Sequence, residues 1–219
     1  MDVALKLKIV YDNESKPDFE SSWGFSCLIE LNMEKILFDT GWDGNILLRN
    51  LKRLGVRSEE INRVVLSHMH WDHIGGLSSL RMGMKLYVPQ SFSKRFKEEL
   101  TSRFEVYEVK KAQQICEGVW TTGELGRGIK EQSLALETGR GLVIVVGCAH
   151  PGVRRIFSAA SRLGEIRGVI GGMHDFKDYT VLRGLELIVP SHCTVNKKRI
   201  AKLFPEAYLE GKAGLQIVV

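Results

Sequence analysis

The chain has 219 residues, 44% of them hydrophobic and 26% charged, and a formal net charge of +5. This composition excludes a disordered, collagen-like or membrane-spanning chain, because no apolar run approaches about 20 residues, and the stretch 1–6 lacks a basic segment followed by an apolar one, so no secretory leader is read there. The cationic excess is dispersed among 26 acidic residues, which argues against a nucleic-acid partner and for a solvated surface.

A single domain over 1–219 is expected, and a cytoplasmic location. Cys27, Cys116, Cys148 and Cys193 are scattered without a CxxC pair, which suits reduced thiols better than a disulfide framework.

The N-terminal part reads as strands at 4–10 and 25–31, a turn at 32–35 and a strand at 36–38, together a meander or hairpin. Over 45–54 apolar residues recur at helical spacing and stop at Gly55, a C-terminal cap signal. The β-branched run at 63–66 predicts a buried strand that leads into Ser67-His68-Met69-His70-Trp71-Asp72-His73-Ile74-Gly75-Gly76. Alternate residues of an extended chain point the same way, so His68 and His70 share a side. Asp72 reads as a helix start, which lets Asp72 and His73 face the same pocket from a second direction. Neutral imidazole is the commonest metal ligand, and four potential ligands in six residues make this segment a candidate site for two metals.

A strand at 85–88, a helix over 91–100 and strands near 104–109 and 119–122 follow. The Gly-rich stretch 123–128 reads as a mobile connection that borders the substrate. The second half then repeats one plan, a buried strand that delivers a histidine before a helix. Residues 142–150 end at His150, and Pro151 reads as the first residue of a helix running toward Gly164. Residues 168–174 end at His174 before Asp175, and 187–192 end at His192 before a helix over 196–204. In layered α/β folds, ligand sites collect beyond the carboxyl ends of strands, so three strands can bring these histidines to one cleft.

Cys148 and Cys193 flank this cleft and read as small buried residues, with Cys193 turned away from the metal if the chain stays extended past His192. Trp71 and Met69 read as packing or pocket-wall groups, and the compact basic run Lys197-Lys198-Arg199 reads as solvent-facing rather than anion-binding.

The run SHMHWDHIGGL at 67–77 resembles the metal-binding signature of the metallo-β-lactamase-fold superfamily, and ILFDTG at 36–41 is similar to its first motif. More narrowly, GCAHPG at 147–152, GGMH at 171–174 and PSHCT at 190–194 resemble the branch named 7,8-dihydropterin-6-methyl-4-(β-D-ribofuranosyl)-aminobenzene-5'-phosphate synthase, with Val195 a departure where that branch is expected to have Gly. The resemblance implies an α/β chain folded as an αβ/βα four-layer sandwich with a dinuclear site along one edge. His68, His70 and His150 would hold the first metal; Asp72, His73 and His192 would hold the second; Asp39 would stand behind them.

The carboxylate that bridges the metals in this superfamily falls, in motif order, at 172–175. There it could be replaced by His174, supplied by Asp175 or missing. His174 is favoured, as an added ligand or a proton donor, since Asp175 reads as a helix N-cap. Two divalent cations are implied, with zinc first and manganese or iron as alternatives. The implied activity is hydrolysis of a small ester, lactone or phosphodiester by metal-bound hydroxide, with His174, or after it Asp72, giving a proton to the leaving group. The branch implies instead a pterin-related transferase. In either case the partner is a small molecule, anionic or phosphorylated if it is a phosphodiester or a pterin diphosphate.

Overall fold

The computed structural model describes residues 5–219, so Ala4 of the first predicted strand and most of the stretch read for a leader lie outside the described residues. The first half runs β1 (Lys6–Tyr11), β2 (Ser26–Leu31), β3 (Glu34–Phe38), α1 (Gly44–Arg53), β4 (Arg63–Val65), α2 (Trp71–Ile74), β5 (Lys85–Pro89), α3 (Lys94–Thr101) and β6 (Glu105–Val109). The second runs β7 (Lys111–Cys116), β8 (Val119–Gly123), β9 (Leu134–Thr138), β10 (Gly141–Val146), α4 (Val153–Ala160), β11 (Ile166–Gly172), β12 (Leu187–Ser191), α5 (Lys197–Leu203) and β13 (Gln216–Val218).

The strands form a seven-stranded sheet in the order β13-β1-β2-β3-β4-β5-β6 and a six-stranded sheet in the order β12-β11-β10-β9-β8-β7. In the first, β13 to β3 pair antiparallel and β3 to β6 parallel. In the second, β7 to β10 pair antiparallel and β10 to β12 parallel. Parallel strands need covered faces, and helices cover both sheets from outside.

The layering follows from side-chain alternation. Along β10, Val143 and Val145 enter the core between the sheets, where they join Ile29, Phe38 and Val65 of the opposite sheet. Leu142, Ile144 and Val146 point the other way, onto Val153, Ile156 and Phe157 of α4. Likewise Leu28, Leu37 and Val64 pack outward against Leu47 and Leu51 of α1. Each such side chain contributes roughly 1.5–3 kcal/mol by leaving water. The result is the four-layer αβ/βα sandwich implied by the motifs. Asp43 caps α1 by accepting from the Asn45 and Ile46 N–H groups, and Gly55, at φ +73, follows its end as the sequence predicts.

Three local expectations fail. Asp72 does not cap α2: the N-cap is His70, and Asp72 lies in the first turn. Pro151 is not the first helical residue; Gly152, at φ 90, precedes Val153. Asp175 caps no helix, and its exposed carboxylate instead pairs with Lys177 at 2.6 Å and accepts from Asn196 Nδ2 at 3.0 Å. No helix among the described residues is long and apolar enough to cross a membrane.

Candidate metal centre

The parallel strands end along one edge, and the chain bends sharply there. Asp39 after β3, Ala149 after β10, His174 after β11 and His192 after β12 all adopt positive φ, between 46 and 58°. Non-glycine residues reach this region only at a cost of order 1 kcal/mol or more, and such strain concentrates at functional sites.

Two groups of donor atoms converge at this edge. His68 Nε2 lies 3.0 Å from His70 Nδ1 and 3.3 Å from His150 Nε2. Asp72 Oδ2 lies 3.1 Å from His192 Nε2 and 3.9 Å from His73 Nε2. Ligands about 2.0–2.2 Å from a tetrahedral cation stand ~3.3–3.5 Å from one another, so either triad could hold one. His192 Nε2 is buried and makes no well-aligned hydrogen bond, although Asp72 Oδ2 lies 3.1 Å away. A buried polar atom left in this way is costly, and a cation at the centre of its triad would satisfy it. The donor set therefore fits divalent metal.

The far ring nitrogens are fixed from behind. Asp39 Oδ2 lies 2.7 Å from His73 Nδ1 and accepts from Ser67 Oγ at 2.6 Å, while Oδ1 accepts from the Ser67 N–H at 2.7 Å. Ser67 Oγ is in turn 2.8 Å from His68 Nδ1. One buried carboxylate thus orients a histidine of each triad with Nε2 inward. His192 is held by Asn13, whose Oδ1 lies 3.0 Å from Nδ1, and by Asp12, which accepts its N–H at 3.0 Å. Glu131, fully buried, accepts the N–H groups of Gly147, Cys148, Ala149 and His150 at 2.8–3.1 Å and so shapes the turn that presents His150.

Ser67 stands in the motif, but the bracing roles of Asp12, Asn13 and Glu131 have no sequence signal. An Asp-Asn pair after a strand reads as a turn, and Glu131 as one more loop acid.

Burial keeps the His68 ring well below its usual pKa, aided by the neighbouring imidazoles, and lowers His150 to about 4 for the same reasons. Both are neutral at pH 7, the form that binds metal. Burial works against a charged His73, but the Asp39 carboxylate outweighs it and raises its pKa. Burial also opposes the Asp72 carboxylate, which His192 and His73 nonetheless hold below the usual range.

Cys148 is buried beside the site as read, whereas Cys193 differs from expectation. At φ 46 the chain is not extended at His192, so Cys193 turns inward and its Sγ lies 3.3 Å from Cys148 Sγ. Cys148 Sγ is also 3.1 Å from His73 Nε2. His174 is exposed at the mouth, its ring centroid 4.6 Å from that of His150. Hydrogen bonding to the Cys193 sulfur raises its pKa. Lys197 does not face solvent; it lies 3.9 Å from Asp12 Oδ1 and 3.7 Å from Glu14, leaving Lys198 and Arg199 exposed.

Two clefts adjoin the centre. One, of about 270 Å³, is lined by Met69, His70, Phe92 and Lys130, the other, of about 350 Å³, by Arg127, His150 and Arg155. Gly128 and Ile129 form part of both walls, so the Gly-rich connection does border the site. Its base is tied by paired backbone hydrogen bonds between Leu125 and Glu131 at 2.9 and 3.0 Å.

The chain has the metallo-β-lactamase fold, and the family model of the metallo-beta-lactamase superfamily matches residues 24–81. The chain is similar to the solved structure of Tm1679, a metal-dependent hydrolase of the β-lactamase superfamily, with a TM-score of 0.79, 25% identity and coverage of 98% of this chain and 99% of that one. It is 27% identical over 231 residues to an uncharacterized protein of Methanocaldococcus jannaschii, covering 86% of this chain and 90% of that protein. It is 25% identical over 257 residues to the 7,8-dihydropterin-6-methyl-4-(beta-D-ribofuranosyl)-aminobenzene-5'-phosphate synthase of the same organism, covering 88% and 87%.

Proposed function

We propose that this chain is a dinuclear metal-dependent hydrolase of a small ester, lactone or phosphodiester that carries an anionic group. The observation that carries the reading is the pair of converging triads, His68, His70, His150 and Asp72, His73, His192, with His192 Nε2 buried 3.1 Å from Asp72 Oδ2. Two divalent cations, zinc by preference for this imidazole and carboxylate set, would activate water and polarise the scissile group.

The remaining chemistry belongs to the side chains. Arg127, Arg155 and Lys130 line the clefts beside His70 and His150 and suit an anionic substituent. His174, exposed at the mouth with its pKa raised by Cys193, is the proton donor to the leaving group, and Asp72 serves as a ligand rather than a donor. Since ligands come from segments that follow both sheets, 1–219 acts as one domain. The free thiols suit a cytoplasmic setting.

The test is His174→Ala in the reconstituted enzyme. The reading expects unchanged metal content and turnover lower by roughly 10²–10⁴-fold for substrates with poor leaving groups, with a smaller loss for good ones. Loss of one metal equivalent would make His174 a ligand, and unchanged turnover would remove it from the chemistry.

A second reading, a pterin-related transferase, is supported by the match to the named synthase over 88% of this chain. It predicts that a pterin diphosphate is consumed only when the aminobenzene ribofuranosyl phosphate acceptor is present. Hydrolysis without that acceptor would favour the first reading.

A further inference from the structure

Cys148 stands where the two donor groups meet. Its Sγ lies within 4.8 Å of the ligand atoms of His68 and His150, and equally within 4.8 Å of those of His73 and His192. The sulfur is therefore within reach of both groups of candidate ligands, and it is buried, with 2% of the residue exposed. Neither Gly172 nor Asp175 puts a carboxylate into this corner. At Gly172 a Cβ would meet Gly147 O at 2.5 Å and Cys193 Sγ at 2.7 Å, and Asp175 is turned out to Lys177. His192 Nε2, buried, faces the same space.

We propose that Cys148 is the bridging ligand of the dinuclear centre, a thiolate shared by both cations in the place where a carboxylate would otherwise stand. This rests on the metal centre proposed above. A thiolate is a strong ligand for zinc. The step is an exchange: the thiol gives its proton to solvent as two metal–sulfur contacts form. Two divalent cations bring four positive charges, and Asp72 with Cys148 would offset two of them, leaving the centre cationic for an anionic substrate. Cys193, its Sγ 3.3 Å from that of Cys148, is then a positioning residue that packs against the bridge.

The experiment is cobalt(II) reconstitution of the full chain, reading bound metal per chain and the near-ultraviolet thiolate-to-cobalt charge-transfer absorption. Wild type is expected to bind two cobalt ions and show the band. Cys148→Ser, nearly isosteric, should lose the band and bind cobalt at least tenfold more weakly, whereas Cys193→Ser should keep the band, shifted in energy. Two bound cobalt ions without a band in wild type, or a band that survives in Cys148→Ser, would overturn the bridging thiolate while leaving the dinuclear hydrolase standing. A wild type that binds no cobalt would overturn both.

Discussion

Asp39 and Asp12 do different work although both are buried carboxylates at strand ends. Asp39 takes His73 directly and His68 through Ser67, so it fixes one histidine of each triad. Asp39→Asn keeps the shape but loses the charge and one acceptor. It should weaken metal binding by roughly 10–100-fold in a chelator-competition titration; unchanged affinity would show that the rings are held by packing alone. Asp12 braces His192 by accepting its N–H, and burial, only partly offset by Lys197, pushes its carboxyl up from 3.8 to about 7. A carboxyl raised on folding favours the native state when protonated. Its contribution is complete below pH 3.8, declines as the unfolded chain ionises first and is gone above about pH 7. In urea melts of metal-free protein, wild type should therefore lose stability relative to Asp12→Asn as pH rises from 4 to 7. A constant difference across that window would mean that Asp12 does not titrate there.

At the scale of elements, the site depends on strands that end close together, and glycines set that closeness. Gly171 has φ 123, and a Cβ there would lie 1.9 Å from Val146 O on the neighbouring strand β10. Gly55 also has positive φ, 73, but has nothing within 4 Å of a Cβ. Gly55→Ala should thus cost only ~1 kcal/mol in denaturant unfolding, the backbone penalty alone. Gly171→Ala combines that penalty with a backbone clash and should cost more than about 3 kcal/mol or prevent folding. Equal costs would mean that β10 and β11 can separate freely.

The sequence makes visible those elements whose local pattern agrees with their place. The run at 63–66, the helix ending at Gly55 and the three strands before His150, His174 and His192 are of this kind. Three strands were not legible. β7, KAQQIC, is largely exposed and lacks apolar alternation; β9, LALET, carries helix formers but is buried in the middle of its sheet; β13 is a three-residue edge strand. Sheet pairing overrides intrinsic preference in such segments.

For the whole molecule, the candidate site depends on the registration of one sheet against the other. Asp39, His68, His70, Asp72 and His73 follow strands of the first sheet, and Cys148, His150, His174 and His192 follow strands of the second. Gln132 ties the two halves behind the site: its N–H reaches Ser67 O and its Nε2 reaches Leu66 O, both at 2.9 Å. The candidate ligands stand out in the sequence because four of them crowd into one segment and the others repeat a strand-end placement. Asp39 also stands out, but the bracing by Asp12 and the meeting of Cys148 with Cys193 do not, since Asp12 meets His192 across 180 residues and Cys148 meets Cys193 across 45, contacts that only the packed sheets create.

The most direct test of the dinuclear centre is elemental analysis of metal per chain, on protein purified without chelator and again after reconstitution with zinc or manganese. The account predicts close to two metals in wild type. A stoichiometry of one, or none after reconstitution, would contradict it.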